Sequence, residues 1–204
     1  MIHFQRLPIM FAVLCSLSIS QFVTAQSAEP KPKVSPDPLT SEQLAVYKAV
    51  LHGWMDDGES TVRLQAVTDP FPTGGAFDSR DCLKGMDMEP DNPGLIHRFR
   101  TEDLSQLGSG RIRLVDPEKQ RKEVEQNDPG RAIANGASVD DAVKNGFAHG
   151  RTWLSEIRFD KTHTHAVVFY GFICGSLCGN GGTIILEKKA NGWTREAQCS
   201  NWMS

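Results

Sequence analysis

The chain predicts an α+β domain, a C-terminal antiparallel β-meander with an N-terminal amphipathic helix packed on it. Three observations carry this expectation. Residues 39–58, LTSEQLAVYKAVLHGWMDDG, place Leu44, Tyr47, Leu51 and Trp54 at helical spacing on one face. From Arg151 onward, strand-like runs alternate with short polar turns, ending in GTIILEKK, Asn191-Gly192 and WTREAQCSNW. Asn191-Gly192 between two such runs is a strong hairpin signal, because a type I′ turn needs positive φ at both central positions.

The first residues read as an export signal. Arg6 is followed by an apolar run that thins into Ser16, Ser18, Ser20 and Gln21 and ends in Val23-Thr24-Ala25, which predicts cleavage near Ala25. The polar interruptions disfavour a retained anchor over Leu7 to Ala25. Leu14 before Cys15 disfavours lipidation, which needs a small residue there. Residues 26–38 form a Pro-rich linker, expected to run extended as a tether. The remainder, 39–204, is the size of one domain.

Within that domain each element has a local reason. Thr40 caps the first helix with Gln43 as its box partner, and Asp56, Asp57 and Gly58 stop it. STVRLQAVTD alternates as a half-buried strand. DPFPTGG and GMDMEPDNPG read as loops around Cys82. In the middle third, IHRFR and RIRLV read as short strands and TEDLSQL as a helical segment. Asp116-Pro117 opens a charged, solvent-facing helix. Ser138 caps another helix whose inward side is expected at Val139, Ala142, Val143 and Phe147. Ala166 to Ile173 is apolar on both faces, which predicts a central strand covered on both sides or closed over by a curled sheet.

Residues 153–204 also resemble the C-terminal segment of a group of uncharacterised exported bacterial proteins. The resemblance rests on the F-D-x5-A-V-V hairpin at Phe159 to Val168, the C-G-x-L-C-G-x-G-G turn at Cys174 to Gly182, and the L-E-K-x3-G-W hairpin ending at Trp193. It implies an exported β-rich domain and transfers no catalytic residue.

Composition narrows the function. With Arg6 removed, 21 basic against 25 acidic side chains leave −4, distributed without a basic stripe, which disfavours nucleic acid. No membrane association is expected beyond the export signal. Removing Cys15 leaves Cys82, Cys174, Cys178 and Cys199, an even set that reads as disulfides in an oxidising compartment. Of three pairings, Cys174–Cys178 with Cys82–Cys199 is favoured.

The stretch ICGSLCGNGG has C-x-x-x-C spacing. It lacks the second ligand pair of a zinc knuckle, the helix start of a redox C-x-x-C and the lysine of a phosphate loop. A pinned hairpin turn is the remaining reading. His163 and His165 in THTH would share one side of a strand and need a third donor such as His149 or His97 to hold a metal. A polar strand end is the plainer account. Asp87, Glu89 and Asp91 begin a calcium-loop pattern that fails at Asn92 and Arg98. Asp140 and Asp141 suit a helix N-terminus. Cys178 could serve as nucleophile with His149 or His165 only as a free thiol.

The chain therefore reads as an exported, disulfide-stabilised, non-enzymatic binding or envelope-associated module, periplasmic or secreted. It needs no cofactor and meets an envelope or extracellular partner. The alternative is a small hydrolase or metal-dependent enzyme using His163, His165 and His149.

Overall fold

The computed structural model describes residues 31–55, 61–74, 78–90, 92, 94–108 and 110–204. The export signal with Cys15, the Asp56-Asp57-Gly58 helix stop, and Asp91 lie outside the described residues.

Side chains close to the starts of four helices satisfy some of their first N–H groups. Gln43 N–H donates to Thr40 Oγ1 at 3.2 Å and Thr40 N–H to Gln43 Oε1 at 2.8 Å, opening α1 (Ser41–Met55). Leu44, Val46, Tyr47, Val50 and Leu51 of α1 are buried. The buried stripe is broader than the one face read from spacing, because α1 packs against α2 (Leu104–Leu107) as well as the sheet. Asp116 accepts from the Glu118 and Lys119 N–H groups, with Pro117 as first residue of α3 (Pro117–Gln126). Its face is polar as expected, except that Gln120 is fully buried and donates to the Arg63 carbonyl at 2.7 Å. Asp128 caps α4 (Pro129–Ala134) and Ser138 caps α5 (Val139–His149).

The inward side of α5 corrects the sequence reading. Ala142 and Gly146 are buried, whereas Val139, Val143 and Phe147 are 60%, 38% and 57% exposed. A Cβ on Gly146 would meet Pro129 and the Cys174 carbonyl, so α5 approaches its neighbours more closely than bulky side chains permit.

Seven strands form one mixed sheet. These are β2 (Val62–Gln65), β4 (Ile112–Val115), β5 (Arg151–Leu154), β6 (Arg158–Phe159), β7 (His165–Gly175), β8 (Cys178–Lys189) and β9 (Gly192–Met203). Their order is β4-β2-β5-β7-β8-β9, with β6 on β7. The C-terminal run β5, β7, β8, β9 is antiparallel, while β2 pairs in parallel with both β4 and β5, a parallel wing absent from the sequence reading. RTWLSEIRFD breaks into β5 and β6 instead of forming one strand. β7 runs through the centre, buried over most of its length.

The hairpin turn falls one residue earlier than Asn191-Gly192. β8 ends at Lys189, β9 begins at Gly192, and only Gly192 carries positive φ, at 118°. That register sets Trp193 opposite Lys188 with its ring in the core. A one-residue slip would turn Trp193 to the other face.

Residues 31–38, read as a tether, carry a short strand followed by a bend at Pro36-Asp37, and they are held. β1 (Lys33–Val34) pairs in parallel with β3 (Leu95–Ile96), and the compact unit begins at Lys31.

Each sheet face has its own core. One joins α1 and α2 to Leu64, Leu154, Ala166, Val168, Ile184 and Leu186. The other joins Phe71, Trp153, Val167 and Phe169, with Leu83, Met86 and Met88 packed against them.

Candidate functional site

Two disulfides are formed. Cys174 and Cys178, with Cα atoms 5.1 Å apart, close the β7–β8 hairpin behind its two-residue tip, Ser176-Leu177. Asp128 anchors that tip by accepting from Ser176 N–H at 2.6 Å. The Arg131 and Ser176 N–H groups together hold the Asp128 carboxyl below its usual range. The glycines after Cys178 serve packing: a Cβ on Gly181 would overlap the Trp202 ring and one on Gly179 would meet the Phe172 carbonyl. ICGSLCGNGG is thus a stapled turn, and Cys178 is not a free nucleophile. Cys82 and Cys199, Cα atoms 6.1 Å apart, tie the 3-10 turn Arg80–Leu83 to β9.

The histidines do not converge. His163 is not on a strand but in the turn before β7, with φ of 52°. The Asp160 carboxylate builds this turn by accepting from the Thr164 and His165 N–H groups and from the Thr162 and Thr164 hydroxyls. Desolvation pushes the Asp160 carboxyl up, and those bonds overcome it and hold the group far below its usual range. His163 stacks on Phe159 with ring centroids 4.7 Å apart. Its Nε2 lies 2.9 Å from Glu89 and its Nδ1 3.0 Å from Glu42. Those two hydrogen bonds, Glu89's first, raise its pKa. His165 lies instead near Asp160 and Glu196.

His149 ends α5, with Nδ1 2.9 Å from the Asn145 carbonyl. The next residue, Gly150, abuts Phe172 near the far end of β7, so His149 sits about 20 Å of strand from the THTH pair. His97 faces Glu156 at 2.9 Å in a separate, half-buried network with Thr68. Among the described residues no group of three or more His, Cys, Asp or Glu side chains has metal-holding geometry. Glu89 and Asp87 of the acidic loop are ion-paired, to His163 and to Lys161. Asp140 and Asp141 lie in the first turn of α5 as expected.

A mismatch of lengths opens a groove elsewhere. The 15 residues of α1 span about 22 Å, whereas the 11 of β7 span about 36 Å. The two start together, because Glu42 bonds both His163 and Lys188 beside the beginning of β7. The helix runs out at Trp54, whose ring centroid is 4.9 Å from that of Tyr170. Beyond Tyr170 the same sheet face continues through Phe172, with Thr152 and Asn180 opposite it on the neighbouring strands. α5 supplies the far wall, Phe147 stacking near Phe172 at 5.4 Å. The resulting groove has a volume of about 790 Å³, and Arg63 and Arg113 are its charged residues among those described. Gln198 donates to the Tyr170 hydroxyl at 2.6 Å, fixing that ring's polar edge.

Trp54 was legible as part of the helix's apolar face, but the other lining residues were not. Tyr170 and Phe172, two apart on a strand, share a face, and a strand that outruns its covering helix is the signal that could have pointed to them. Comparison of the chain with protein-family models, with curated proteins and with solved structures finds no match.

Proposed function

We propose that this chain is an exported, non-enzymatic binding protein that takes the apolar body of a small ligand in the groove beyond Trp54. The observation that carries the reading is the aromatic end of the sheet beyond α1, lined by Trp54, Tyr170, Phe172 and Phe147. Its volume falls in the range of small-molecule sites, and polar groups from Thr61, Arg63, Arg113, Thr152, Asn180 and the Tyr170 hydroxyl line it beside an aromatic floor. A sheet face rich in aromatic carbon, walled by α5 and lying beyond the end of α1, gains by covering itself with a ligand.

Export to the periplasm or exterior, with cleavage near Ala25, belongs to the same proposal. It is supported by the two disulfides, which persist in oxidising compartments. Among the described residues no helix is long and apolar enough to cross a membrane. The separation of His149 from His163 and His165 favours binding over the hydrolase or metal-enzyme alternative.

The test is titration of the mature protein with phenylnaphthylamine, a neutral dye that brightens in apolar sites. Saturable binding at one dye per chain is expected, weakened at least about tenfold by Phe172→Ala, since a buried aromatic contact contributes over 1.4 kcal/mol. Saturable binding that Phe172→Ala and Trp54→Ala both leave untouched refutes the assignment, as does no binding.

A further inference from the structure

Resting on that binding reading, we infer that the groove's ligand is an amphipathic organic anion, an apolar body carrying a carboxylate, sulfonate or phosphate, and that Arg113 receives its anionic group.

The argument starts from the parallel wing. Arg63 on β2 is the register partner of Arg113 on β4. Leu64 pairs with Thr152, which sets Arg151 of β5 beside Arg63 on the other side. Three arginines therefore stand in a row across β4-β2-β5. Like charges in neighbouring strand positions oppose one another, so each needs an anion to be comfortable.

Two of the three have one. Arg151 is ion-paired to Asp69 at 3.2 Å and donates to Gln65 Oε1 at 2.9 Å. Arg63 is ion-paired to Glu123 and donates to the Ala148 carbonyl at 3.1 Å. Arg113 is exposed, and among the described residues it has neither hydrogen bond nor ion pair. Arg63 keeps a further donor in reserve, since its Nε is buried without a partner.

Charge around the groove points the same way. Among the described residues its lining holds Arg63 and Arg113 and no carboxylate. The adjoining depression adds Lys119 against Glu123 and Asp116, and both carboxylates are already engaged, Glu123 by Arg63 and Asp116 by the first turn of α3. Strand alternation turns Arg113 to the face opposite Val62 and Leu114, and it lines the groove from the β4 edge of the sheet, where paired N–H donation holds an anion while the aromatic floor takes the apolar part. Residues 56–60, which join α1 to Thr61 and include Asp56, Asp57 and Glu59, lie outside the described residues.

The experiment compares two dyes on the mature protein, phenylnaphthylamine and anilinonaphthalene sulfonate, which share an apolar body and differ by one sulfonate. The sulfonate dye is expected to bind about fivefold tighter at low salt, with the preference shrinking as salt rises. Arg113→Gln is expected to abolish the preference and Arg113→Glu to reverse it, with circular dichroism confirming the fold. Equal affinity of the two dyes in the parent overturns the anion inference and leaves the binding reading standing. Failure of both dyes removes the binding reading itself. If the sulfonate gains its preference only in Asp56→Asn/Asp57→Asn/Glu59→Gln, the chain's own acidic segment neutralises Arg113 and the inference is overturned.

Discussion

Removing the Cys82–Cys199 link should cost more stability than any single packing change in this protein. The bond spans 117 residues and ties the segment carrying Leu83, Met86 and Met88 to the edge strand β9. In the chain-entropy model a loop of that length restricts the unfolded chain by about 5 kcal/mol, against about 2 kcal/mol for the link between Cys174 and Cys178. Total stability of a domain this size is roughly 5–15 kcal/mol, so Cys82→Ala/Cys199→Ala should lose a large fraction of it. The assay is urea unfolding followed by tryptophan fluorescence, with Cys174→Ala/Cys178→Ala as the matched control. Because the effect acts on the unfolded state, the urea dependence should steepen as that ensemble expands. A loss below about 1 kcal/mol, or a larger loss from the short link, would refute the reasoning.

Three further outcomes are expected. Both ring nitrogens of His163 face carboxylates, so only the imidazolium can donate to both, and its pKa is raised by Glu89 and Glu42. The contribution is therefore fully present below the unfolded value of about 6.5 and is lost as pH rises through the higher folded value. The groups are partly exposed, so it should stay under about 1 kcal/mol, and unfolding across pH in His163→Gln should show that part of the profile flattened. Gly150→Ala places a Cβ against the edge of the Phe172 ring, which should displace that ring from its place in the groove wall. Stability should fall by about 1–3 kcal/mol and phenylnaphthylamine affinity should fall with it, as denaturation and dye titration can check. Tyr47 is fully buried and donates to the Ser155 carbonyl at 2.9 Å, so Tyr47→Phe should cost about 1–3 kcal/mol in urea unfolding by orphaning that acceptor.

What was legible in the sequence lies within a few residues of its own cause. Thr40 with Gln43, Asp116 with Pro117, and Ser138 mark their helices because a cap bonds an N–H two or three positions away. The C-terminal run of strands was legible because β7, β8 and β9 follow one another through short turns. Even there the final turn was misplaced by one residue, since burial of Trp193, not the Asn-Gly preference, sets the register.

The candidate site was hardly legible at all. The residues that drew attention, His163, His165 and His149, are dispersed, and the groove is built from Trp54, Arg63, Arg113, Phe147, Tyr170 and Phe172, drawn from five separate elements. The inward face of α5 could not be read either, because hydrophobicity favoured Val143 and Phe147 while close approach to Pro129 and Cys174 selected Ala142 and Gly146.

By itself, the sequence determined the α+β class, the capped helices and the set of cysteines, since these follow from short-range hydrogen bonding, apolar period and residue count. Only the tertiary structure decided the parallel β4-β2-β5 wing, the arginine row across it and the aromatic floor beyond the end of α1. Those depend on which distant strands lie side by side and on how far one helix reaches along a longer strand.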